Sequence, residues 1–194
     1  MTNEWDDYAG GWNVDKTVEE YADKAYSELV KNCDIEGLTV LDFGCGTGSL
    51  TQLISPAVKS IIAIDSSPEM IKYLDMKTLD NVTSISEYLS NELIVKRPEF
   101  ESKFDLIVAS SVCSFLPDYE ATLSLLKSLL KEGGVFIQWD WLSNDDSSDM
   151  GLTEKRVKEA FESNCFVGTK ISSPFIMNSS KGNMPVLMAI GKNA

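Results

Sequence analysis

At 194 residues, with 43% hydrophobic and 24% charged content, the chain has the make-up of one globular domain that can bury a substantial core. Its 30 acids against 17 bases give a net charge of −13, and no basic cluster exceeds Lys96-Arg97 or Lys155-Arg156, which argues against nucleic acid or an anionic membrane surface as partner. The absence of histidine removes His-based triads and His-ligated metal sites, and Cys33, Cys45, Cys113 and Cys165 have neither metal-ligand spacing nor disulfide-scaffold density, so no metal is expected and a reducing cytoplasm is the simplest home.

The chain opens on Met1-Thr2-Asn3-Glu4-Trp5-Asp6-Asp7, acidic and without the apolar core of a secretory signal. Trp5, Tyr8 and Trp12 recur every three or four positions in residues 1–13, which fits either a helix stripe packed on the core or a flap that covers a site. Val18 to Asn32 reads as an amphipathic helix with Val18, Tyr21, Ala22, Ala25, Leu29 and Val30 on one side. Thr39 to Phe43 is a buried strand that runs into Gly44-Cys45-Gly46-Thr47-Gly48, and a helix begins near Ser49 and stops near Ser55-Pro56. Lys59 to Asp65 is a second strand. Ser67 followed by Pro68 is a helix start, with the helix continuing through about Leu74.

Asn81 to Ser86 reads as a third strand, and the polar span Glu87–Lys103 yields no firm element. Phe104 to Ser110 is a fourth, buried strand. Helical spacing of leucines predicts a helix over Tyr119–Lys131 that Gly133-Gly134 ends, then a fifth strand from Val135 to Trp141. Beyond an acidic loop at Leu142–Met150, Thr153 caps a helix to Asn164. Cys165–Ser172 and Met184–Gly191 read as two last strands, joined by Ser173–Asn183 and therefore antiparallel. Apolar runs such as Ile61–Ile64 and Leu106–Ala109 fall far short of the ~20 residues that span a membrane. Alternating strands and helices predict an α/β, Rossmann-like doubly wound sheet of seven strands, mostly parallel with an antiparallel C-terminal hairpin. Ligands of such sheets bind beyond the carboxyl ends of the strands.

Three glycines at alternate positions after a buried strand exceed what an ordinary turn needs and mark a loop that a ligand approaches closely. Asp65 ends the neighbouring strand, where a carboxylate can take both hydroxyls of a ribose. A dinucleotide fingerprint wants G-x-G-x-x-G, but its third position here is Ser49, and Asp42 before the loop would repel a pyrophosphate. An acidic loop beside a ribose-binding acid suits a ligand with a positive end.

Asp42-Phe43-Gly44-Cys45-Gly46-Thr47-Gly48 resembles the nucleotide loop of class I S-adenosylmethionine-dependent methyltransferases, and Asp65 matches their ribose-binding acid. Phe104–Ser110, the turn Leu130-Lys131-Glu132-Gly133-Gly134 and the closing hairpin resemble later segments of that fold, so the likeness covers residues 36–191. It implies residues 1–35 as an N-terminal helical cap or flap and 36–194 as a methyltransferase catalytic domain, together one compact domain. It implies S-adenosyl-L-methionine as cofactor and S-adenosyl-L-homocysteine as product. Asp42 and Gly44 would lie by the methionine amino group, Cys45 would fill the loop, and Gly46 and Gly48 would admit the cofactor to the backbone. Asp65 would take the ribose, Ser66 and Met70 would flank the adenine, and Ser86 and Glu87 would meet its amino group. Ser110, Ser111 and Val112 would line the crevice near the sulfonium.

Ser110-Ser111-Val112-Cys113 stands where methyltransferases of exocyclic or amide nitrogens carry Asn/Asp-Pro-Pro-aromatic, which points away from DNA bases and glutamine side chains and toward a small-molecule acceptor with an O, N, S or C nucleophile. Catalytic candidates, if a base is needed, are Tyr8, Asp118 and Asp140; Trp139 or Trp141 would line an acceptor pocket or pack the core. A nicotinamide-dependent oxidoreductase and a non-catalytic cofactor-binding protein are the alternatives.

Overall fold

The computed structural model describes residues 4–146, 150–179 and 182–194, in two units, one ending at Ser102 and the other running from Lys103. The opening tripeptide read as signal-free and part of the acidic loop, residues 147–149, lie outside the described residues.

In the first unit a 3-10 turn at Glu4–Asp7 and the short helix α1 (Ala9–Trp12) precede α2 (Lys16–Asn32), which buries Tyr21, Ala22, Ala25 and Leu29 of the predicted face, while Val30 of that face is 45% exposed. Asp15 caps α2 by accepting the Thr17 N–H at 2.8 Å. Then follow β1 (Thr39–Phe43), α3 (Ser49–Ile54), β2 (Ser60–Asp65), α4 (Pro68–Asp75) and β3 (Val82–Ser86). The strands run parallel in the order β3-β2-β1, with Phe43 opposite Ile64 and Asp65 opposite Ser86. Val40 and Leu41 are fully buried and Asp42 is 1% exposed; successive residues point to opposite faces, so both faces of β1 are covered. The span left without an element holds α5 (Asn91–Lys96), capped by Ser90, and a 3-10 turn at Pro98–Phe100.

In the second unit β4 (Phe104–Ser110) runs parallel to β5 (Leu130–Trp141), with α6 (Tyr119–Ser128) between them in sequence. Here the sequence reading needs correction: α6 stops at Ser128, because Leu130 pairs with Phe104 as a strand residue. Gly133 and Gly134 lie inside a bulge of β5 instead of ending a helix; the register jumps from Phe104–Leu130 to Leu106–Val135. After α7 (Glu154–Ser163), capped by Thr153 as predicted, come β6 (Phe166–Ser179) and β7 (Gly182–Asn193). They pair antiparallel in the order β5-β7-β6, and the stretch expected to join them is mostly strand itself, with pairs out to Ser179–Gly182. The fold class is the expected one: α/β, with seven strands in a mostly parallel sheet whose C-terminal strands run antiparallel.

Gly48, which leads into α3, sits at φ +81°, and a Cβ there would lie 2.4 Å from Leu74 Cδ1 on the buried face of α4. Its missing side chain therefore serves packing. Gly48→Ala is expected to lower the unfolding free energy by about 1–3 kcal/mol, from left-handed strain and displacement of Leu74, as read by urea denaturation.

Candidate functional site

Where β1 runs out, the Gly44 and Cys45 N–H groups both bond the Ile64 carbonyl, at 2.8 and 3.1 Å, so the loop crosses the end of β2 before it turns into α3. That crossing brings the Gly46 N–H to 2.9 Å from Asp65 Oδ2, while the Ser67 N–H donates to Oδ1 at 2.9 Å. Asp65 thus clasps the glycine loop on one side and the start of α4 on the other. A carboxylate has about four lone-pair positions, so these bonds leave capacity for a further donor, such as a ribose hydroxyl. Burial raises the pKa of Asp65 above its ordinary value, against the lowering effect of the Ser67 and Gly46 N–H groups.

Asp42 is placed differently from what the resemblance implied. It is 1% exposed, and Thr51 Oγ1 of α3 donates to its Oδ2 at 2.6 Å, so it ties strand to helix and is not open to the crevice. Burial pushes its pKa up to about 7; the Thr51 hydrogen bond opposes this and the charge of Asp65 adds to it. Neither acid has an ion-pair partner among the described residues.

Around this pair stand most of the predicted cofactor residues. Cys45 is buried, and burial first of all holds its thiol well above the ordinary value, so it is filler and not a thiolate. Met70 is 3% exposed and Ser66 half-buried, both directly after Asp65, and Ser86 lies beside Asp65 in register. Glu87 is another correction: its carboxylate faces Arg97, whose Nε donates at 3.1 Å, and that hydrogen bond holds its pKa below the ordinary range. It is spent on an ion pair and is not free to meet an adenine. Thr47 Oγ1 is buried in the glycine loop without a hydrogen-bond partner. An orphaned donor is costly and fits a loop completed by a ligand.

The second unit has its own polar cluster. Ser110 ends β4, and Ser111 follows at φ +55° with its N–H bonded to the Trp139 carbonyl at 2.7 Å. Asp140 is fully buried; the Ser114 N–H donates to it at 3.1 Å, and Gln138, itself accepting the Tyr119 hydroxyl at 2.7 Å, stands 3.4 Å away. Burial pushes Asp140 up to about 7, opposed by its bonds to Ser114 and Cys113. Asp118 caps α6 by accepting the Ala121 N–H at 2.9 Å, and Tyr8 of the first unit is 60% exposed. Trp139 is wholly buried in the core, whereas Trp141 keeps some exposure.

Sequence reasoning missed Thr51, Ser67 as a donor to Asp65, and the Tyr119–Gln138–Asp140 chain. The Asp-Ser-Ser-Pro run was a sufficient signal for Ser67, since an Asp before a cap serine commonly accepts the N–H two residues on. A surface groove of about 570 Å³, lined by Tyr26, Cys33, Ile35 and Pro56, lies at the amino end of β1, away from the glycine loop.

A family described as "Methyltransferase domain" matches residues 14–172. The chain belongs to this family. A ubiquinone biosynthesis O-methyltransferase of Xanthomonas euvesicatoria is 28% identical over 103 residues, which cover 52% of this chain and 42% of the relative. The chain thus spans less than half the length of the curated relatives it matches first. Among solved structures, a chain of the Haloferax volcanii complex between the Trm112 methyltransferase activator and a methyltransferase superposes with TM-score 0.79 at 17% identity, covering 100% of this chain and 99% of that one. A DhpI–SAH complex gives TM-score 0.74 at 19% identity, covering 98% and 93%. These two show a shared fold.

The buried acids of this methyltransferase domain give a signed pH dependence. Asp140 ionises near pH 4 in the unfolded chain but near 7 when folded, so between those values folding takes up a proton and stability falls as pH rises. Across that window Asp140→Asn is expected to remove a decline of about 1.4 kcal/mol per pH unit relative to the parent, measured by urea unfolding from pH 4.5 to 8.

Proposed function

We propose that the chain is an S-adenosylmethionine-dependent methyltransferase that acts on a small-molecule acceptor. The observation that carries this reading is Asp65, braced by the Gly46 and Ser67 N–H groups at the end of β2 with hydrogen-bonding capacity left for a further donor. In this reading Asp65 takes the ribose hydroxyls, Gly44 and Gly46 offer backbone to the amino-acid end, and Ser66, Met70 and Ser86 surround the adenine. The orphaned Thr47 hydroxyl supports the fit.

The cofactor supplies an activated methyl group on a sulfonium, and the chain has to align it with a nucleophile and exclude water, which needs no dedicated acid or base. A chain without histidine can do this. Four free cysteines among the described residues, Cys33, Cys45, Cys113 and Cys165, suit a reducing cytoplasm. Among the described residues no helix is long and apolar enough to cross a membrane.

Calorimetry with S-adenosylmethionine, S-adenosylhomocysteine and NAD tests the reading. Both S-adenosyl ligands are expected to bind and NAD is not, and Asp65→Ala is expected to weaken them about tenfold or more by removing charge-assisted bonds. Binding of NAD alone, or an unchanged Asp65→Ala affinity, contradicts it. A panel of phenols, catechols, amines and thiols, read by formation of S-adenosylhomocysteine, is expected to give turnover with at least one class.

A further inference from the structure

The N-terminal segment is held against the mouth of the glycine loop at two points. Asp6 accepts the Ser67 hydroxyl at 2.6 Å, and Ser67 is the residue that caps α4 and donates its N–H to Asp65. Further on, α1 leans on α4: Ala9 is 1% exposed, and a Cβ on Gly10 would meet the Tyr73 hydroxyl at 3.4 Å. Trp12, the last residue of α1, is buttressed by the edge of Trp5, with ring centroids 6.3 Å apart at 81°. This brings the Trp12 indole nitrogen to 3.7 Å from where a Cβ on Gly46 would stand, beside Met70 Sδ at 4.0 Å.

Trp12 is half-buried, and its indole N–H has no hydrogen-bond partner among the described residues. Indole nitrogen donates and never accepts, so it cannot serve an ammonium or a sulfonium; it wants an oxygen. The acids around the loop, Asp6, Asp42 and Asp65, serve hydroxyls and positive charge. The cations of this unit that form ion pairs are engaged elsewhere: Lys24 with Glu20, Lys31 with Glu28, Lys72 with Glu69 and Arg97 with Glu87. At this acidic loop the neutral indole N–H is a donor suited to an anionic ligand group.

We propose that Trp12 is a cofactor-binding residue whose indole N–H donates to the carboxylate at the amino-acid end of the S-adenosyl ligand; this rests on the S-adenosyl reading of the glycine loop. Trp5 and the Asp6–Ser67 bond then serve to hold Trp12 in place. Within the N-terminal segment Trp5 packs on Trp12, and the packing aims one donor at the site.

The test compares two probes, S-adenosylhomocysteine and 5′-methylthioadenosine, which shares the nucleoside but lacks the amino-acid carboxylate. Trp12→Phe keeps a ring of similar shape and removes only the donor. In the full chain, calorimetry is expected to show S-adenosylhomocysteine weakened about tenfold or more by Trp12→Phe, with methylthioadenosine changed less than about twofold. Equal weakening of both probes, or no change in either, overturns the assignment of Trp12 while leaving the S-adenosyl reading in place. Failure of the parent protein to bind either probe overturns that reading and this inference with it.

Discussion

The first unit depends on one carboxylate. Asp65 is held at 2.9 Å from each of two backbone N–H groups, Gly46 in the loop after β1 and Ser67 at the start of α4. Burial disfavours its charge and raises its pKa, and those N–H groups oppose this in part. The bond to Gly46 exists because β1 and β2 run parallel in a register that leaves Asp65 one step beyond the Phe43–Ile64 pair. It also needs Gly46 at φ +53°, a conformation that glycine adopts without strain. Strand register, loop backbone and helix cap thus meet at one side chain, and the lone pairs they leave unused face a ligand.

The second unit uses a similar device for a different purpose. Asp140, near the end of β5, accepts the Ser114 N–H and so pins the turn that follows β4. Its neighbour Gln138 is in turn held by the Tyr119 hydroxyl of α6. Where Asp65 keeps part of its hydrogen-bonding capacity for solvent or ligand, Asp140 is wholly buried and is held near neutrality by the loss of water. A carboxylate bonded to the backbone of another loop positions that loop more firmly than an apolar contact does, because the bond is directional.

Much of this was legible in the sequence where the cause is local. β1 and β4 were read to the residue, since a continuous apolar run bounded by an acid or a polar pair has one reading. Ser67 and Thr153 were read as caps because a cap needs only its own next three residues. Asp65 stood out because the strand–glycine–helix–strand order places it. What the sequence hid is long-range. Leu130 reads as the last leucine of a helix until its pairing with Phe104 claims it for β5. Glu87 reads as an open acid until Arg97, ten residues on, takes it. Asp42 reads as a crevice residue until Thr51 and full burial turn it inward. Trp12 gave only a spacing, and its place above Gly46 follows from a hydrogen bond between Asp6 and Ser67, 61 positions apart.

The central claim is that Asp65 and the glycine loop hold an S-adenosyl nucleoside, and a crystal structure of the chain grown with S-adenosylhomocysteine tests it most directly. The account predicts the ribose hydroxyls within hydrogen-bond distance of Asp65 Oδ1 and Oδ2, with the Gly46 and Ser67 N–H bonds retained and the amino-acid end over Gly44–Gly46. A ribose bound away from Asp65, or a ligand seated in the groove by Tyr26 and Pro56 with the glycine loop bare, would contradict it.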